Sequence, residues 1–378
     1  MKRLVLCCDG TWNSPVNASV SNIEKIARSV RTGIGPDGVQ QMVFSVEGVG
    51  AQGYLVDRLL GGAFGYGLTR NVVAGYRHLA LNYEDGDEIY VFGFSRGAYT
   101  ARSVVGMVAT VGLLTKDALA RDLLLRAERI YRVRDTARRR ELAAGFRAEG
   151  SCHPHVPVAF LGVFDTVGAL GVPGLSRRRS RFHNLRLSTD VEQARQALAI
   201  DDRRITFEPC LWEVPASMAS RVKQVWFPGG HSDVGGGAPS RALSDAALRW
   251  MVGEAVARGL AFDEERLLLQ LHDEDALVCR FRPGPLFGGL NLVKRLHPRA
   301  RFHGDRRVLA GVPVPAEHVD AVYLAQSADR LSADPASVYA RHARNVTWWR
   351  EAASGQALPL RVEPVPGADQ ETRPLALA

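Results

Sequence analysis

The chain has 378 residues, 46% of them hydrophobic and 23% charged, with 37 Gly and 19 Pro, a make-up that excludes disordered, collagenous and coiled-coil proteins and suits a soluble enzyme of moderate size. Its 48 Lys and Arg against 40 Asp and Glu leave a formal charge of +8, which favours anionic partners such as phosphate esters or anionic lipid and says nothing about fold. Five cysteines (Cys7, Cys8, Cys152, Cys210, Cys279) show no C-x-x-C spacing, so neither a disulfide framework nor a zinc ribbon is expected.

In chain order, residues 4–8 form a short apolar strand that places Cys7 and Cys8 as buried hydrophobes. It reaches Asp9 too soon for the roughly 7–15-residue apolar stretch of a signal peptide. No run of about 20 apolar residues follows anywhere. The expectation is a reduced, cytoplasmic protein, with any export taking a signal-peptide-independent route. Asp9-Gly10-Thr11-Trp12-Asn13 ends this strand, and a helical pattern over 22–32 leads to a second strand at 42–46. Seven glycines follow between residues 48 and 67, but no Gly-Lys-Ser/Thr, which excludes a P-loop. That stretch reads either as a loop over a site or as close backbone packing.

A helix over 69–83 precedes the strand 88–92, the turn Gly93-Phe94-Ser95-Arg96-Gly97 and a helix over 98–111. An amphipathic helical insertion is expected over about 115–150, with nine Arg against four acidic residues between Arg121 and Arg147. The strand 156–164 runs into Asp165-Thr166-Val167-Gly168 and then a basic knot of Arg177, Arg178, Arg179, Arg181 and Arg186. A helix is expected over 189–200. The strand 222–227 ends in Gly229-Gly230-His231-Ser232-Asp233, and a helix spans 244–258. Past about residue 260 the rhythm blurs. Residues 261–353 read as an extension packed on the core, and 354–378 as a flexible tail.

Alternating strands and helices of this kind predict an α/β fold with a mostly parallel central sheet and helices on both faces. In such sheets ligands bind at the carboxyl ends of the strands, which is where the unusual residues gather. Gly93-Phe94-Ser95-Arg96-Gly97 fits G-x-S-x-G between a strand and a helix, the context of a nucleophile elbow: the turn is too sharp for flanking side chains, and it presents the serine hydroxyl at a helix N-terminus. Gly93 and Gly97 are the elbow glycines. Serine at its ordinary pKa is a weak nucleophile, so a histidine must take its proton and an acid must hold that histidine. Asp165 and His231 follow Ser95 in the order acid, then histidine. Asp233, two residues from His231, is the rival acid. An oxyanion hole would take one N–H from Arg96 and a second from Gly10 or Thr11. No cofactor is expected.

The segments Cys8 to Asn13, Gly93 to Arg102, Val163 to Gly168 and Phe227 to Gly237 resemble, in that order, the signature segments of the type VI secretion lipase-effector-like α/β hydrolases. The resemblance spans roughly residues 1–260. It implies a serine-hydrolase triad at Ser95, Asp165 and His231 and, for the secreted members, phospholipase activity on bacterial membranes. Secreted effectors of that family are usually longer, with added membrane-binding modules, so effector status does not carry over with the triad.

The leading expectation is a serine esterase or lipase acting through an acyl-enzyme on an ester or lipid. Two alternatives stand beside it. One is metal-dependent phosphoester hydrolysis with Asp9, Asp165, His231 and Asp233 as ligands. The other is a non-enzymatic basic module docking on an anionic membrane surface. The arginine-rich helix lacks the aromatics that stack bases, so no nucleic-acid partner is expected, and nothing in the sequence sets an oligomeric state.

Overall fold

The structure, a computed structural model, describes residues 1–10, 19–48, 63–167, 187–204, 207, 209–238, 240–271, 288–289, 321–335, 337–354 and 360–366. Nine strands form one sheet: β1 (Lys2–Cys8), β2 (Gly33–Ile34), β3 (Gln40–Val46), β4 (Glu88–Phe94), β5 (Val158–Phe164), β6 (Ala194–Ala199), β7 (Val222–Phe227), β8 (Val322–Ala325) and β9 (Val362–Glu363). Their order is β2-β3-β1-β4-β5-β6-β7-β8-β9. Every pairing is parallel except β2 with β3.

Alternate side chains of β1 feed two cores, as the two-residue period of a strand requires. Leu4, Leu6 and Cys8 pack with α2 (Ala63–Asn82) and α3 (Arg96–Val111) through Tyr76, Leu79, Ala98 and Val104. Val5 and Cys7 pack on the other face with Ile23 and Ile26 of α1 (Asn22–Ser29) and with Leu248 and Met251 of α8 (Ala242–Val256). Both faces being covered, the central strands are apolar nearly throughout, which is the pattern of a buried parallel sheet. This is an α/β architecture, a mostly parallel central sheet with helices on both faces.

Three expectations differ from what forms. The helix expected over 189–200 is instead β6, buried along its whole length. Ala-Arg-Gln-Ala-Leu-Ala has high helix propensity, but between β5 and β7 the tertiary context overrides it. The donors of its two polar residues find partners in place: Arg195 pairs with Glu254 and donates to the Ala194 and Arg221 carbonyls at 3.0 and 2.9 Å, and Gln196 Nε2 donates to the Cys210 carbonyl at 3.0 Å.

The insertion is three helices rather than one: α4 (Lys116–Ala120), α5 (Leu124–Tyr131) and α6 (Thr136–Ala148). Asp122 takes φ 56°, and the Asp135 side chain accepts the Arg138 N–H at 2.7 Å to cap α6, so the chain breaks at both aspartates. Ala127, Ile130, Tyr131 and Phe146 are buried against α3. Arg126, Arg132 and Arg138 pair with Glu149, Glu128 and Glu141, which neutralises part of the charge locally.

The sheet also continues past residue 260. β8 and β9 complete it, and Leu198, Trp226 and Leu324 form a third core with Tyr339, Val346 and Trp349. Residues 360–366, expected in a flexible tail, include β9. Glu363 anchors that strand by accepting from Lys223 Nζ at 2.6 Å and Trp250 Nε1 at 3.2 Å. Strands of four and two residues are too short to leave a periodic signal. Residues 49–62 of the glycine-rich stretch, and the basic knot from Arg177 to Arg186, lie outside the described residues.

Candidate active site

β4 ends in the elbow, where Ser95 takes φ 57° and ψ −119°, a conformation that costs a side-chain-bearing residue about 1–3 kcal/mol. Packing on both sides holds it there. A β-carbon at Gly93 would lie 2.7 Å from Ala98 Cα, and one at Gly97 would lie 2.1 Å from the Cys8 carbonyl oxygen. The glycines therefore let α3 fold back onto its own strand and let β1 end against the turn. Ser95 N–H donates to the Phe164 carbonyl at 3.1 Å, fastening the elbow to the end of β5. Gly97→Ala is expected to destabilise the fold by at least ~3 kcal/mol, because the atoms it meets are backbone and cannot rotate away. Thermal or urea unfolding measures this.

Asp165, the residue after β5, has φ 39° and is wholly buried. Its N–H donates to the Ala197 carbonyl at 2.7 Å, and its Oδ1 accepts the Ala199 N–H at 3.0 Å. That leaves Oδ2 directed at His231 Nδ1, 2.5 Å away. His231 opens α7 (His231–Gly235) after β7, and its Nε2 lies 2.8 Å from Ser95 Oγ. Three side chains predicted from three separate strand ends thus meet in one buried chain of hydrogen bonds. With Asp165 accepting from Nδ1–H, Nε2 carries the lone pair that faces the serine hydroxyl. Burial holds the His231 imidazole below its usual pKa, against the opposing hydrogen bond and charge of Asp165, so the ring is neutral at neutral pH.

The ring is also fixed by packing. Phe94 lies against it at 4.6 Å between centroids and Phe207 meets it edge-on at 4.9 Å. A β-carbon at Gly235 would lie 1.9 Å from the Phe94 ring, which is why α7 can sit so close.

The other predicted residues are placed differently. Asp233, the rival acid, accepts the Gly230 N–H at 2.8 Å and so caps its own helix. The Gly10 N–H, proposed for the oxyanion hole, donates to Asp9 Oδ1 at 2.5 Å, and Asp9 Oδ2 accepts from Ser21 Oγ at 2.7 Å. It is engaged by its neighbour's carboxylate instead of being presented to a substrate. Thr11 lies outside the described residues. Arg96 is the first residue of α3, where backbone N–H groups lack helical partners, and burial brings its guanidinium pKa down to about 10. Asp9, Asp165, His231 and Asp233 do not converge as metal ligands, each being committed as described. Among the described residues no group of three or more His, Cys, Asp and Glu could hold a metal ion.

Sequence reasoning missed Asp201, Asp202, Arg204 and Phe207, which follow β6. Asp201 Oδ2 accepts the Gly229 N–H at 2.8 Å, and Asp202 Oδ2 accepts the His231 N–H at 3.1 Å. Had 194–199 been read as a strand, its carboxyl end would have pointed to this pair of aspartates.

A family model described as "T6SS, Phospholipase effector Tle1-like, catalytic domain" matches residues 2–254, a span holding Ser95, Asp165 and His231. An uncharacterized protein of Saccharomyces cerevisiae, YEL023C, is 30% identical over 235 residues, covering 57% of this chain and 33% of that protein. The chain thus spans about a third of that relative's length. Among solved structures, an uncharacterized protein from Pseudomonas aeruginosa aligns with a TM-score of 0.39 and 17% identity, covering 97% of this chain and 65% of that one. The Tle1 effector bound to the VgrG spike of the type 6 secretion system aligns with a TM-score of 0.34 and 19% identity, covering 63% and 52%. By the family model, which takes in β1 through β7, the chain belongs to the family of Tle1-like phospholipase effector catalytic domains.

Proposed function

We propose that the chain hydrolyses carboxylic esters of phospholipids by a serine mechanism, with Ser95 as nucleophile, His231 as general base and acid, and Asp165 as the acid that orients it. The observation that carries this reading is the hydrogen-bonded chain from Ser95 Oγ through His231 to Asp165, at 2.8 and 2.5 Å. Family membership supports the lipid as substrate class. Ser95 Oγ attacks the acyl carbonyl while His231 Nε2 takes its proton, and Asp165 stabilises the imidazolium. Collapse of the tetrahedral intermediate passes that proton to the leaving alcohol and leaves an acyl-Ser95 ester. Water, deprotonated by His231, then attacks the acyl carbon, and as the fatty acid is released His231 returns the proton to Ser95 Oγ. The Arg96 N–H, next after the nucleophile, is one oxyanion donor.

The test is fatty-acid release from phospholipid vesicles, compared with short p-nitrophenyl esters. Because His231 must be neutral to accept the serine proton, activity is lost as pH falls through its pKa. Burial lowers that pKa, so the acid limb of kcat/KM is expected below pH 6.5, the ordinary imidazole value. A limb above that value, or no ester hydrolysis of either kind, contradicts the reading.

A further inference from the structure

The loop after β6 holds a charged pair that bears on His231 twice, once directly and once through Phe207, without belonging to the hydrogen-bonded chain just described. Loops after β6 and β7 clasp each other: the Ile200 and Asp201 N–H groups donate to the Phe227 and Gly229 carbonyls at 3.0 and 2.9 Å. This brings Asp202, its side chain 3% exposed, under the first turn of α7. There its Oδ2 accepts both the His231 N–H at 3.1 Å and Arg204 Nη2 at 2.6 Å. Arg204 Nε reaches both carboxylate oxygens at 3.2 Å, and its own N–H donates to Oδ1 at 2.9 Å. The Arg204 guanidinium in turn lies over Phe207, 3.5 Å from the ring centroid, and Phe207 meets the imidazole edge-on. One ion pair therefore holds the main chain of His231 through Asp202 and its ring through Phe207.

We infer that Asp202 and Arg204 are positioning residues for His231, setting both where the imidazole stands and when it protonates. The inference rests on the function proposed above. Burial makes the pair expensive: a mostly desolvated carboxylate is retained only where its partners repay the loss of water. A bland loop anchor needs no charges here, because backbone hydrogen bonds already clasp the two loops. The groups facing His231 are Asp165 at Nδ1, Ser95 at Nε2, and Asp202 and Arg204 from the loop after β6. Phe94 and Phe207 pack on the ring, and Asp233 on α7 itself caps Gly230. Asp202 favours the imidazolium and Arg204 opposes it, so the pair as a whole keeps either charge from dominating.

Opposite signs give a signature that a purely structural role does not. The pH dependence of inactivation by a fluorophosphonate probe is measured for the wild type, Asp202→Asn, Arg204→Gln and Arg204→Lys, with thermal melting alongside. Asp202→Asn removes a negative charge that favours the imidazolium, so the acid limb is expected to move to lower pH. Arg204→Gln removes a positive charge that opposes the imidazolium, so the limb moves to higher pH. Arg204→Lys keeps the charge but loses the planar fork and the stacking, so the limb stays while the plateau rate falls. Plateau rates of all three variants are expected to fall about 10-fold, the lower end for supporting groups that orient an active ligand. Should Asp202→Asn fail to fold, the contrast between Arg204→Gln and Arg204→Lys decides alone. Limbs that stay together, or that move the same way for Asp202→Asn and Arg204→Gln, overturn the inference. A wild-type protein that the probe does not label at Ser95 overturns instead the reading on which it rests.

Discussion

Replacing Ser95 with alanine is expected to lower kcat for ester hydrolysis on the order of 10⁶-fold, the loss seen when the nucleophile of a working triad is removed. Only catalysis from substrate binding and the Arg96 N–H would remain. The fold should survive, because alanine at φ 57° carries the same backbone strain that serine already bears, and the side chain gives up the 2.8 Å hydrogen bond to His231. The melting temperature is therefore expected to stay near that of the wild type. Retained fold with lost activity separates a catalytic serine from a serine that merely fits a tight turn. Appreciable hydrolysis by the alanine variant would remove Ser95 from the mechanism.

Asp165→Asn is expected to cost about 10⁴-fold in kcat, by analogy with the same exchange in a serine protease. The reason lies in the tautomer. An asparagine amide can place its N–H toward His231 Nδ1, which then keeps its lone pair and puts the proton on Nε2, where it cannot accept from Ser95. The amide oxygen can still accept the Ala199 N–H that Asp165 Oδ1 now holds at 3.0 Å, so the geometry survives while the chemistry fails. Asp233→Asn is the control. It weakens the cap on α7, worth about 1 kcal/mol, and is expected to leave most of the activity. If Asp233→Asn proves the more damaging of the two, the acid has been assigned to the wrong strand end. Steady-state kinetics on a short p-nitrophenyl ester measures both.

The parts of this site that were legible in the sequence share one property: each follows a strand that announces itself. Residues 88–92 and 222–227 are apolar runs closed by glycines, and 156–164 is an apolar run closed by Asp165, so the residues after them could be taken as one sheet edge. β6 gave no such sign, since Ala, Arg, Gln and Leu are helix formers and only burial between β5 and β7 makes them a strand. Asp202 and Arg204 went unread with it. Gly10 shows a different limit: a glycine after a strand looks open in sequence, while in the fold its N–H donates to the Asp9 carboxylate. β8 and β9 were hidden by brevity. What holds β9 is tertiary, through Lys223 and Trp250 on Glu363, and no local pattern reports such contacts.

The proposed chemistry makes Ser95 a nucleophile activated by His231. Fluorophosphonate labelling of the wild-type protein at neutral pH, followed by peptide mass spectrometry, tests it without knowledge of the natural ester. One adduct is expected, on the peptide containing Ser95, absent from Ser95→Ala and formed far more slowly in His231→Ala. An adduct on another serine, or labelling undiminished in Ser95→Ala, would contradict it.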